Sequence, residues 1–462
     1  MGLSGVPRAS PVKLGIILLS ILSLLYFISH PSDTSKHHRL NTIYSSANDF
    51  YDQITIGKKA SFINDILEND IDGTIDYDAI KFVCNSKKWT DGLVIECKAP
   101  EAGIATVRNV YLNCVRYAIE AGGGFILPEV MTRGQILNDN FPRKQIPMAY
   151  LFDTDHFITS MTRSCPQMHI YSSLGDLWDK PSAGVDHSLN PQDIAGELKH
   201  GSILAKPEEW RAKFDKYLNG TTEYKVSSEL PVRIALSTPH LQFPLSYDKA
   251  EFVANLGRVF RFRHDVRRLA ATVLYALNEK YKLNIDPEAG IEAEKYYGGH
   301  VQPIDEGWTS YDDQTKNYVA AASEQKLKVL YLATGSETTL DKFNLKATEY
   351  NLTTETKTTL LAGPEYAAER SEMGLLTWDQ QALIDYEILL RSSRFGGLKE
   401  SIFSWNVAMR RHVVFGQGKF FGGDVDSMSG TKPSAGQTFK DGLSTVFGDV
   451  GAMAAMGAAT WP

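Results

Sequence analysis

Residues 377–412, TWDQQALIDYEILLRSSRFGGLKESIFSWNVAMRRH, decide the fold of this chain. They read as helix, short strand, glycine turn, helix. Thr377 and Gln380 form a capping box, each side chain satisfying a backbone donor at the helix start. Ala382, Leu383, Tyr386, Leu389 and Leu390 then recur at helical spacing. Ser392 to Phe395 suits a brief buried strand, and Gly396-Gly397 breaks it. A second helix opens near Ser401 to Ser404 and closes on Arg410, Arg411 and His412, whose charge suits a helix C-terminus. A strand, a glycine turn and a serine-opened helix make an anion site, where free N–H groups and the positive dipole end converge. An ordinary strand–helix connection carries the same signature, so the pattern alone does not separate the two.

The residues themselves go further. WDQQALIDYEILLRSSRFGG followed by SIFSWNVAMRRH resembles the C-terminal nucleotide-sugar site of fungal proteins similar to GDP-fucose protein O-fucosyltransferases. In that family a Ser-x-Phe-Ser segment lies against the donor diphosphate; Ser401, Ile402, Phe403 and Ser404 stand in its place here. The resemblance covers residues 80–460 and is strongest over 325–412 and 103–165.

Composition sets the outer bounds. A chain of 462 residues can bury two cores. Its net charge of −7 argues against a nucleic-acid surface. Four cysteines exclude a small disulfide scaffold. Cys84 and Cys97 flank one short segment and can pair in an oxidising compartment, whereas Cys114 and Cys165 lie far apart in sequence and suggest no pair.

The N-terminus points to that compartment. Arg8 and Lys13 precede an apolar run, IILLSILSLLYF, shorter than the roughly 20 residues of a full membrane span. No good cleavage site comes after it, which favours an uncleaved signal anchor over a cleaved signal peptide. Positive charge before the run orients a type II protein, with its body in the endoplasmic reticulum or Golgi lumen. Residues 1–13 are then a cytosolic tail, 14–30 the anchor and 31–75 a stem. Sequons at Asn219 and Asn351 agree with lumenal exposure.

The first half, 76–240, opens on a strand at DGLVIECK, after which Gly103 starts a helix faced by Val107, Val110, Tyr111, Cys114, Val115 and Ala118. Gly122-Gly123-Gly124 ends it before a strand running into Leu127-Pro128. Strand, helix, strand is the start of a parallel α/β sheet. The resemblance maps the family's first motif onto Gly103, Arg108 and Asn109; the asparagines usual before the arginine are Ala105 and Thr106 here. Asp153-Thr154-Asp155 and Asp424-Val425-Asp426 have the form of metal-holding triplets, but the first looks like a helix entry and no metal is expected.

The second half, 241–462, opens on one basic helix from Phe252 to Leu277, carrying Arg258, Arg261, Arg263, Arg267 and Arg268. Such a run is a solvated face or a counter-charge for a bound diphosphate. A strand at Lys295 to His300 and a helix at Asp313 to Ala322 come next, and KVLYLAT gives the clearest strand, ending on Thr334-Gly335. Where the family has His-Leu-Arg, its arginine being the main catalytic residue on the donor phosphates, this chain has His300, Val301 and Gln302. A neutral amide cannot make the charge-assisted fork of an arginine. Asp305 and Glu306 match the family's acidic residues only in a shifted register.

The resemblance thus implies an α/β protein of two Rossmann-like domains facing a cleft (GT-B) behind a membrane anchor. It implies inverting transfer of fucose from GDP-fucose to a hydroxyl on a protein or glycan, without a cofactor. Arg108 and Gln302 hold the catalytic places. Gly103, Asn109, His300, Thr334, Gly335, Ser401, Phe403 and Ser404 hold the donor-binding ones. An inactive nucleotide-sugar-binding homologue, or a transferase using another donor, fits the same fold.

Overall fold

Parallel strands buried on both faces need apolar residues, and the strand Val329–Ala333, VLYLA, meets that demand along its whole length. The structure, a computed structural model, describes residues 57–71, 73–133, 143–199, 203–237, 243–302, 309–412, 439–448 and 459–462. The expected anchor, Asp305, Glu306 and the Asp424–Asp426 triplet lie outside the described residues. No described helix is long and apolar enough to cross a membrane. Residues 62–462 form one compact unit; of residues 1–61 only 57–61 are described, and they are helical.

The unit contains two parallel sheets. The first has β1 (Leu93–Cys97), β2 (Gly124–Ile126), β3 (Ile170–Tyr171), β4 (His187–Leu189) and β5 (Val232–Leu236), in the order β3-β2-β1-β5-β4. The second has β6 (Tyr297–His300), β7 (Val329–Ala333), β8 (Thr353–Glu355), β9 (Arg394–Leu398), β10 (Phe439–Lys440) and β11 (Ser444–Phe447), in the order β8-β7-β6-β9-β11-β10. Only the β10–β11 pair of that sheet is antiparallel. From β6 the chain steps outward through β7 to β8, then returns to place β9 on the other flank of β6. The gap beyond the C-terminal ends of β6 and β9 is therefore a topological switch point, where open α/β sheets bind ligands.

The helices that position the site residues are α1 (Ile104–Ala121), α2 (Thr154–Ser164), α3 (Ala250–Arg258), α4 (His264–Tyr281), α5 (Tyr311–Glu324), α6 (Trp378–Leu390) and α7 (Ile402–Arg411). The Thr377/Gln380 capping box is present at α6. Gly122 ends α1 in the left-handed conformation that favours glycine. Asp153 caps α2, as a helix entry should. One continuous apolar core joins Ile95 and Tyr111 to Leu389 and Trp405.

Two readings of local structure are corrected. Gly396 and Gly397 lie inside β9 rather than ending it. A Cβ at Gly396 would sit 2.2 Å from the Tyr297 hydroxyl, and one at Gly397 would sit 2.5 Å from Ser404 Cβ. These glycines make room for neighbours that the local sequence does not show. The basic helix is two helices, α3 and α4. Between them Phe262 bridges to Phe152, and Arg261 O accepts from Asp153 N, which buries Phe260 and Phe262 among Phe152, Phe157 and Tyr111.

The cysteines pair across elements, Cys84 with Cys165 and Cys97 with Cys114, at Cα separations of 5.6 and 6.3 Å. Packing of the helix Tyr77–Asn85 against α2 makes the first pair, and packing of α1 against β1 makes the second. Peptide mapping without reduction is expected to recover these two links, and a Cys84–Cys97 peptide would overturn the pairing. Cys97→Ser should cost about 2–4 kcal/mol in denaturant unfolding.

Candidate active site

The switch point is furnished by α7. Its N-cap Ser401 accepts the Ser404 N–H at its side-chain oxygen (3.2 Å), and Ser401 O accepts the Trp405 N–H. The first two amides, of Ile402 and Phe403, are orphan donors of a kind that helix starts leave for a ligand. Leu398 N–H donates to Ser404 Oγ at 3.0 Å, which ties the helix start to the end of β9.

From β6, His300 Nδ1 reaches Ser404 Oγ at 2.9 Å and Ser401 Oγ at 3.4 Å. Its ring lies against Phe403, with centroids 4.6 Å apart. Burial pushes the imidazole pKa down to about 4, so the ring is neutral at physiological pH. Assigning the Ser404 proton to the Nδ1 contact leaves Nε2 to carry the ring N–H, a second neutral donor beside the helix start.

Gln302 sits just past β6. Its N–H donates to Gln314 Oε1 (3.0 Å), Gln314 Nε2 donates to Thr309 O (3.0 Å), and Thr309 Oγ1 donates to Glu400 Oε1 (2.7 Å). Gln302 Oε1 and Glu400 Oε2 are buried with no partner among the described residues. Sequence reasoning missed this bracket because its members come from three separate elements. Glu400 carried the one usable signal, an acid immediately before the serine cap. Lys399 precedes it, its stem against Gly448.

The structure therefore brings together His300, Gln302, Ser401, Phe403 and Ser404. Gly103, Thr334 and Gly335 form a second group. Arg133 lies 3.2 Å from where a Gly103 Cβ would be, forks onto Asp379 (2.8 and 2.9 Å) and stacks over Trp378, whose indole nitrogen would be 3.1 Å from a Gly335 Cβ. Burial raises the Asp379 carboxyl pKa, and Arg133 opposes the shift. Thr334 accepts the Ser336 N–H in the same turn. Arg133 was also missed, a lone arginine in a stretch without periodicity.

Arg108 and Asn109 form a third group. Arg108 is fully buried and donates to four carbonyls, those of Gly257, Phe260, Trp461 and Pro462. Its charge is engaged by backbone. Asn109 likewise holds Ala459 O and Trp461 N. The basic helices do not supply a replacement cation. Arg261 pairs with Asp153 and Asp70, Arg263 with Asp265, Arg267 with Asp70 and Arg268 with Glu372, while Arg258 donates to Thr74 O and Asn255. Among the described residues no group of three or more His, Cys, Asp or Glu could hold a metal. Two small pockets, each about 10 Å³, lie elsewhere, and at the cradle Glu400, Ile402 and Phe403 are partly exposed.

No family model matches this chain. No curated protein matches it either. Among solved structures it is similar to POFUT1 in complex with GDP-fucose, at 12% identity and a TM-score of 0.42, over 70% of this chain and 95% of that one. POFUT1 in complex with GDP gives 12% and 0.41 over the same shares. A mutant of Arabidopsis thaliana FUT1 in complex with GDP gives 12% and 0.34, over 72% of each chain. Overlap this low fixes no function, and the site chemistry has to carry the reading.

The His300 environment sets a pH test. A histidine whose folded pKa lies below its unfolded value contributes stability that is full above about pH 6.5 and is lost as pH falls toward 4. Because the ring edge is partly accessible, the contribution is on the order of 1–3 kcal/mol. Denaturant unfolding at pH 7 and pH 5 should show this drop, and His300→Gln should flatten it. An equal drop in both proteins would remove His300 as its source.

Proposed function

We propose that the chain binds a nucleotide diphosphate sugar at the β6/β9 switch point and acts as an inverting O-fucosyltransferase-like enzyme with GDP-fucose as donor. The observation that carries this reading is the neutral His300 ring set against the start of α7, bonded to Ser404 and packed on Phe403. An inverting transfer needs a diphosphate cradle, stabilisation of the leaving charge and a route for the acceptor proton. The start of α7 supplies the cradle through its dipole and free N–H groups. Gln302 supplies a hydrogen bond where a full positive charge is expected. The acceptor is a hydroxyl on a protein or glycan, and the donor site uses no metal.

One observation favours a second reading, a donor-binding protein with weak or no turnover. Arg108 is engaged by carbonyls and Gln302 is neutral, so neither residue in the catalytic places offers a free cation. Calorimetry with GDP and GDP-fucose separates binding from turnover. Ser404 is fully buried against Gly397, so an acid there tests folding rather than binding. Ile402 is partly exposed in the first helical turn, where an acid suits the dipole yet repels a phosphate. Ile402→Asp should therefore weaken GDP binding at least tenfold in a folded protein. Gln302→Arg should raise donor turnover, since an arginine on a transferred phosphoryl group is worth about 10³ or more. Unchanged GDP affinity in folded Ile402→Asp would take the helix start out of the site.

The same reading places the body in the lumen of the endoplasmic reticulum or Golgi, behind the expected anchor. Two disulfides and two exposed sequon asparagines, Asn219 and Asn351, support it. Endoglycosidase treatment should increase gel mobility. Unaltered mobility, with protease sensitivity in intact microsomes, would reverse the topology.

A further inference from the structure

Residues 62–71 open the compact unit as the end of a helix, over residues 57–68, followed by Asn69 and Asp70. Phe62, Ile63, Ile66 and Ile71 bury the apolar side of this segment, with the Phe62 ring 5.6 Å from that of Tyr275. The carbonyls of a last helical turn have no partner within their helix. Two arginines supply the donors here. Arg391, at the C-terminal end of α6, donates to Asn69 O (2.8 Å), Ile66 O (3.4 Å) and Ala289 O (3.4 Å). Arg267 of α4 donates to Leu67 O (3.1 Å) and pairs with Asp70, which also takes Arg261 (3.3 Å). The polar end of the segment is held by a clamp of cations.

One acid beside this clamp is left out of it. Glu387 of α6 lines a pocket of about 10 Å³ together with Asp70, Arg267 and Arg391, yet no described residue bonds to its carboxylate. It stands four residues before Arg391, the spacing and order in which an acid and an arginine pair on a helix. Four-residue spacing gives formed pairs elsewhere, Arg116 with Glu120 (2.8 Å) and Arg211 with Asp215 (2.9 Å). Here the pair stays open, because both nearby arginines are committed to the entering segment. Burial pushes the Glu387 carboxyl up to about 7; Asp70 pushes the same way, and Arg267, Arg391 and Arg108 oppose. Arg410 of α7 acts on Asp70, and Tyr386, which burial keeps neutral, is the remaining ionisable neighbour.

We propose that Glu387 is the trigger of a pH-sensitive latch on residues 66–70. Protonated, it leaves Arg267 and Arg391 to the segment; ionised, it competes for both and loosens their hold. The two arginines are the bistable element, with two alternative sets of acceptors. Glu387 is partly exposed, so it exchanges its proton with solvent. A carboxyl whose docked value lies above its free value favours the docked form at low pH, and that contribution is lost as pH rises through about 7. The latch does not rest on the donor reading, since none of its members belongs to the β6/β9 cradle.

Hydrogen exchange on the intact chain at pH 6 and pH 8, corrected for the intrinsic rate, reads the latch. With a free glutamate near 4.5 and the docked one near 7, linkage caps the change in opening between those two pH values at about tenfold. Protection of the amides of residues 66–71, relative to those of α4, should fall at least threefold from pH 6 to pH 8. Glu387→Gln, neutral and of the same shape, should keep the pH 6 protection at both. In global unfolding the Glu387 contribution has the opposite sign to that of His300, so the readout is local and each is isolated by its own substitution. Equal protection at the two pH values in the wild type, or an equal fall in Glu387→Gln, overturns the proposal. If that variant does not fold, the wild-type profile from pH 5 to pH 9 decides. A fall centred near pH 7 supports the latch, and a flat profile or one centred elsewhere overturns it.

Discussion

Everything at the switch point depends on one close approach, that of Ser404 to Gly397. The absent side chain at residue 397 lets α7 begin directly against β9, where any Cβ would fall 2.5 Å from Ser404 Cβ. Once there, Ser404 Oγ accepts the last strand amide of β9 and meets His300 from β6. A single hydroxyl thus fixes two strands and a helix start to one another. The orphan amides of Ile402 and Phe403 owe their aim to it. A glycine serving close helix–strand packing beside a phosphate site is the device that dinucleotide-binding folds use after their first strand.

Charge is handled differently. The chain is rich in arginine, yet its buried guanidiniums are largely engaged within the protein. Arg116 forks onto Asp248 and bonds Glu120, Arg267 pairs with Asp70, Arg133 with Asp379, and Arg411 donates to Leu390 O and Ser392 O. Buried charges left unpaired would cost several kcal/mol each, so such pairing is what folding demands. The consequence at the start of α7 is that a helix dipole, two amides and neutral rings stand where no unengaged arginine is found among the described residues. Lys399 and Glu400 stand side by side before the cap with opposite charge, so together they add no net charge.

Legibility in the sequence divides along a physical line. Capping is local, so Thr377, Gln380, Asp153 and Ser401 could be read directly. Apolar periodicity gave α1, α6 and β7 for the same reason. Gly396 and Gly397 were misread because a glycine pair signals a turn unless its surroundings are known, and Tyr297, Tyr318 and Ser404 come from elsewhere in the chain. Cysteine pairing failed likewise, since the nearest cysteine in sequence was not the nearest in space. Arg108 was given a catalytic place only by the resemblance to the family's first motif. Its partners are carbonyls up to 354 residues away, and no pattern announces a carbonyl.

Helix α7 joins these threads. Ser404 and Asn406 are two residues apart, about 200° around the helix, so they face opposite ways. One face binds β9 and His300, and the other binds Tyr386 and the Ala459–Pro462 segment. A helix of 10 residues is close to rigid, so the contacts on its two faces together aim the Ile402 and Phe403 amides. On the β9 face that aim is set by how rigidly Ser404 is held. Its hydroxyl is shared between a strand amide and a buried imidazole, which burial keeps neutral at neutral pH, so Nδ1 is free there to accept the Ser404 proton.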